Sequence, residues 1–97
     1  MSAPDFQLKL ARAARSDFAN LLSFTLQTWG RAQFLAYQEK LNAALAAIAA
    51  NPRAGKPRHG LLVHQVGRHR IFYRVEDTVI IVLRILPDRM DAGRHLP

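Results

Sequence analysis

The 97-residue chain predicts an α+β fold, a helical hairpin laid against one sheet, and three observations carry that expectation. Apolar residues alternate over 6–10, recur at steps of three and four from about Arg12 to Ala50, and then crowd into three short runs between 61 and 86. Helices in one block and strands in another are the mark of α+β rather than α/β architecture. No internal repeat or composition break divides the chain, so it reads as a single domain over residues 1–97.

In FQLKL (6–10), Phe6, Leu8 and Leu10 alternate with Gln7 and Lys9, which predicts a half-buried first strand. Phe18, Leu21, Leu22, Thr25, Leu26 and Trp29 then form a helical stripe, with Ser16 or Asp17 placed to serve its N-terminal turn. Gly30 ends that helix as a C′ residue. The stripe of the next helix is Phe34, Tyr37, Leu41, Ala44 or Leu45, and Ile48; its alanines favour helix, and Asn51-Pro52 stops it. Two helices joined so tightly must fold back as a hairpin.

NPRAGKPRHG (51–60), with two prolines and two glycines, reads as an exposed loop. LLVHQV (61–66), HRIFYRV (69–75) and TVIIVLRIL (78–86) follow as a three-stranded antiparallel meander with two-residue turns. Strict alternation in the last strand puts Val79, Ile81, Leu83 and Ile85 on one face and Ile80, Val82 and Leu86 on the other. Apolar on both sides, it is expected to be central, with the first strand added beside it. Arg84 interrupts it near the end, Pro87 closes it, and MDAGRHL is expected to form a short helical turn.

Fourteen Lys and Arg against seven Asp and Glu give a net charge of +7, and no acidic residue falls between Lys40 and Arg74. Such a stretch attracts polyanions or an acidic protein. With no cysteine, disulfides and thiol nucleophiles are excluded. No apolar run approaches the roughly 20 residues of a membrane span, and MSAPDFQLKL lacks the basic and long apolar parts of a secretory signal. A cytoplasmic protein without membrane association is expected.

His59, His64 and His69 pair with no Asp or Glu at ligand spacing, so neither metal nor cofactor is expected. The serines lie outside any nucleophile elbow. Tyr73 shares a face with Ile71 and Val75 and reads as a core residue, as do Phe18, Trp29, Phe34 and Tyr37; the alternative for some of these helix aromatics is a groove for a partner at the apolar margins of the hairpin. Arg70 and Arg74 lie on the other face of the strand with Phe72, while Arg84, Arg89, Arg94 and His95 cluster at the far end of the sheet. The alternative for Arg84 is an ion pair with Asp88 or Asp91 that ties down the C-terminal turn.

LKLARAARSDFANLL (8–22), TWG (28–30), NPRAGKP (51–57) and VGRHRIFYRV…IIVLRILPDRMDAGRHL (from Val66 onward) occur in that order. Together they resemble the ParE branch of the RelE/ParE toxins of bacterial type II toxin–antitoxin systems. The resemblance implies a non-catalytic toxin that binds DNA gyrase, causes growth arrest, serves plasmid maintenance, and is held inactive in a hetero-oligomer with a cognate antitoxin. A +7 chain suits an acidic, partly disordered antitoxin; which residues it covers is not legible. Arg70, Arg74, Arg84, Arg89, Arg94 and His95 are the expected target-binding residues, and none is assigned a catalytic role. Where the family pattern has His before x-Arg-Met-Asp, this chain has Pro87. The alternatives are a RelE-like ribosome-dependent mRNA endonuclease, which the few lysines and the lack of a tyrosine after the last strand disfavour, or a degenerate toxin that only binds antitoxin.

Overall fold

The computed structural model describes residues 5–97; Met1–Pro4, part of the stretch read for a leader, lie outside them. The elements run β1 (Gln7–Leu10), α1 (Arg12–Trp29), α2 (Arg31–Ala50), a 3-10 turn (Pro52–Ala54), β2 (Lys56–Arg58), β3 (Leu61–Val66), β4 (His69–Glu76), β5 (Val79–Pro87) and a second 3-10 turn (Ala92–Arg94). They form one five-stranded sheet in the order β1-β5-β4-β3-β2. β1 lies parallel to β5, with Leu8 opposite Ile80 and Leu10 opposite Val82. The other neighbours are antiparallel.

The fifth strand, β2, comes from the stretch expected to be a loop. Three residues are too few to show a period, and Pro57 argues against a strand unless it lies at an edge, where its missing N–H costs no ladder bond. β2 is that edge: Pro57 pairs with Leu62, and among the described residues no strand lies beyond it.

Both helices cover one face of the sheet. Leu22, Leu41, Ile48, Ile71, Tyr73, Ile80, Val82 and Ile85 form the main core there, with Phe18, Phe34 and Tyr37 packed around it. Each fully buried aliphatic side chain contributes about 1.5–3 kcal/mol of transfer free energy. Gly30 closes α1 at φ 89° and opens α2 in the same residue, which gives the hairpin its abrupt turn. On the opposite face the C-terminal segment covers a second, smaller cluster of Phe72, Leu86 and Ala92 with Met90 and Leu96.

The alternation expected for β5 fails at one point. Phe72 pairs with Arg84 but Tyr73 pairs with Val82, so Leu83 is an extra residue, a β-bulge. Ile80 and Val82 face the helices as expected of a pair, but beyond the bulge Ile85 joins them and Leu86 faces away. Unbroken alternation would have placed Arg84 in the helix-covered core. The bulge turns it out.

Trp29 also departs from expectation. It stands at the tip of the hairpin, the last residue of α1, and is 69% exposed.

Candidate interaction groove and the placement of the basic residues

α1 starts after Ala11, whose N–H bonds to Val82 O, and has no side-chain cap. Asp17, expected to serve that terminus, instead reaches the edge of β5. β1 has ended there, leaving the outer side of β5 uncovered, and the Asp17 carboxylate accepts the Ile85 N–H at 3.0 Å. The same carboxylate takes two bonds from the Arg84 guanidinium, at 2.7 and 2.9 Å. This bidentate pair, rather than one with Asp88 or Asp91, holds Arg84 and raises its pKa further. Arg84 also donates to His95 O at 3.2 Å, so it links α1 to the C-terminal segment.

Arg70 works in the same way from β4. It donates to Met90 O at 2.9 Å and Asp88 O at 3.2 Å, and its guanidinium lies 5.4 Å from the centre of the Phe72 ring. Its side chain is only 17% exposed. Arg70 and Arg84 therefore fasten residues 88–95 over Phe72 and Leu86. The other four expected contact residues are exposed. Arg74 pairs with Glu76 at 2.9 Å and Arg94 with Asp91 at 3.5 Å. Arg89 forms no ion pair among the described residues. Pro87 ends β5 opposite His69.

Between the overhanging hairpin and this end of the sheet runs a groove of about 1150 Å³. Leu21, Phe24, Trp29 and Tyr37 form its helical wall; residues 67–69 and 85–90 form the other. Phe24 and Trp29 are 62% and 69% exposed. Lys40, Arg68, Arg84 and Arg89 line it against Asp17 and Asp88. Both carboxylates are engaged within the fold, Asp17 by Arg84 and Asp88 by Gln65 at 2.7 Å. The groove thus presents apolar surface with a positive rim.

At its floor the Tyr37 hydroxyl lies 2.6 Å from His69 Nδ1 and 3.2 Å from Val66 O. The neutral tautomer with the proton on Nδ1 satisfies both contacts, since Nδ1–H donates to the hydroxyl and the hydroxyl to the carbonyl. Burial lowers the His69 pKa and raises that of Tyr37. Gly67 is required beside them: its φ is 54°, and a Cβ would come within 3.0 Å of the Tyr37 ring. Tyr73 is fully buried and donates to Pro52 O at 2.6 Å. Among the described residues no group of three His, Asp or Glu could hold a metal ion, and no helix is long and apolar enough to cross a membrane.

The basic residues near the C-terminus and a partner groove among the helix aromatics were both legible in the sequence, and Trp29 and Tyr37 do line the groove. Its far wall, residues 67–69 and 85–90, was not legible. A lining residue that went unnoticed is Phe24, an aromatic lying off the apolar stripe of α1.

A sheet backed by a helical hairpin, with an open, positively rimmed groove, defines a small α+β protein with a surface open to a partner. The model of the family described as ParE toxin of type II toxin-antitoxin system, parDE, matches residues 8–92, and the chain belongs to that family. It is 35% identical to Toxin ParE1 of Caulobacter vibrioides over 92 residues, covering 91% of this chain and 95% of that protein. It is 36% identical to Toxin ParE1 of Mycobacterium tuberculosis over 92 residues, covering 90% and 94%. A chain of the chromosomal ParDE system from P. aeruginosa shares the fold with a TM-score of 0.75 at 21% identity, over 86% of this chain and 96% of that one. A chain of the M. tuberculosis toxin–antitoxin complex RelBE2 does so with a TM-score of 0.62 at 23% identity, over 87% and 99%.

Proposed function

We propose that this ParE-family toxin arrests growth by binding DNA gyrase and is neutralised by a cognate acidic antitoxin that occupies the groove. The observation that carries the antitoxin reading is the groove itself, where exposed Phe24 and Trp29 stand within a basic rim. An amphipathic acidic helix supplies apolar side chains to the hairpin wall and carboxylates to Lys40, Arg68 and Arg89. Arg74, Arg89, Arg94 and His95 contact the target, and Arg70 and Arg84 hold the C-terminal segment that presents them. Action by binding is supported by the state of the tyrosines: both hydroxyls are engaged inside the fold, which leaves neither placed as a proton donor to an RNA substrate.

The test is a supercoiling assay with purified gyrase, relaxed plasmid, ATP and excess antitoxin-free protein. Loss of supercoiling with accumulation of cleaved plasmid is the expected result. Normal supercoiling in the presence of folded protein would remove gyrase as the target.

A further inference from the structure

The sheet face turned away from the helices carries a line of cations that the groove does not use. Register pairs Arg58 with Leu61 across β2 and β3, and both Arg74 and Lys9 with Ile81 across β4, β5 and β1. Leu62 opposite Tyr73 sets Leu61 beside Arg74, one step along. One rung thus crosses all five strands as Arg58, Leu61, Arg74, Ile81 and Lys9. Leu8 and Leu10 pack into the helix-side core, as do Tyr73 and Val75, so Lys9 and Arg74 point to the other face. All three cations are exposed. Lys56 stands one rung away, opposite Val63. Glu76 on this face pairs with Arg74 at 2.9 Å, and exposed Asp77 in the adjoining turn and Asp5 just before β1 lie at the end of the sheet next to it.

We infer that this rung, Lys9, Arg58 and Arg74, is a sequence-independent contact site for the phosphate backbone of duplex DNA. Alternate strands of a sheet are about 9–10 Å apart, so the three cations span roughly 19 Å. Over that length a duplex carries about eleven phosphate charges. Single-stranded nucleic acid is disfavoured because its binders stack bases on exposed aromatic rings, and Phe72, the aromatic residue of this face, is fully buried beneath the C-terminal segment. An acidic polypeptide is better served by the groove, where exposed aromatic residues supply the apolar anchors that this rung lacks. The inference does not depend on gyrase being the target, and its test contains no gyrase.

That test is fluorescence anisotropy of the full chain against a labelled 20-base-pair duplex of arbitrary sequence, titrated at a series of salt concentrations. Three phosphate contacts give a log–log salt slope of about −2.7, or roughly 40-fold weaker binding between 50 and 200 mM salt. Lys9→Ala, Arg58→Ala and Arg74→Ala each reduce the slope by about 0.9, and the triple variant brings it below about 1 in magnitude. Arg58→Lys with Arg74→Lys retains the slope, which separates lost charge from a damaged fold. Glu76→Gln, by releasing Arg74, tightens binding. An unchanged slope in the triple variant, or an equal loss on removing Arg31 at the hairpin tip, would overturn the site. So would tighter binding of a poly-glutamate peptide than of DNA at the same residues, which would make the ligand an acidic protein.

Discussion

The two halves of the helical hairpin have similar apolar patterns and opposite fates. Near the sheet, Leu22 on α1 and Leu41, Ala44 and Ile48 on α2 are buried against β3 and β5. Toward the tip, Leu26, Trp29 and Leu35 are 44%, 69% and 46% exposed. Helical periodicity gives the direction in which a side chain points, but what it meets there is decided by where the sheet ends. The packed half holds the fold together, and the overhanging half stays exposed.

Leu41→Ala, in the packed half, is expected to have the largest effect. It opens a cavity under a fully buried side chain and should cost about 3–4 kcal/mol in urea denaturation. Asp17→Ala follows at about 2–3 kcal/mol, because Arg84 and the Ile85 N–H lose their acceptor together. Trp29→Ala should reverse the pattern, changing stability by less than about 0.5 kcal/mol. At the same time it should weaken antitoxin binding by more than tenfold, the measure of a central aromatic anchor, as read by calorimetry. If it unfolds the protein instead, the division between the two halves fails.

The smallest effect concerns pH, at the boundary between the halves. Burial lowers the His69 pKa, so below its ordinary value of 6.5 the unfolded chain binds more protons than the folded one. Stability from this group is therefore complete above pH 6.5 and declines as pH falls toward the lowered folded value. His69→Gln should flatten that part of the stability–pH curve, measured by thermal unfolding between pH 5 and 8.

The C-terminal segment qualifies how the basic cluster can be probed. Deleting residues after Leu86 uncovers Phe72 and Leu86 and strips Arg70 of its carbonyl partners. Loss of toxicity in such a truncation would report unfolding as readily as lost contact. Arg89→Ala and Arg94→Ala leave the segment in place and are the cleaner substitutions for target binding.

Much of the fold was legible because it rests on local pattern. Alternation over 6–10, the three-and-four spacing of both helices, Gly30 and Asn51-Pro52 marked those elements close to where they lie. β2 was missed because three residues containing Pro57 carry no period, and pairing with β3 alone makes them a strand. The face assignment beyond Val82 was missed because a bulge is a relation between two strands. Nothing in TVIIVLRIL indicates that Leu83 will be left unpaired.

The two arginines Arg84 and Arg94 show where the division falls. By itself the sequence determined the α+β class, the order of the main elements, the excess of positive charge and the gathering of arginines near the C-terminus. These follow from periodicity and composition, which act over a few residues. Only the tertiary structure decided that Asp17, 67 residues away, would take Arg84 while Arg94 stays 83% exposed with a neighbour three residues back. Which strand edge is left uncovered, and which carboxylate the folded chain carries to it, depends on how separate elements meet.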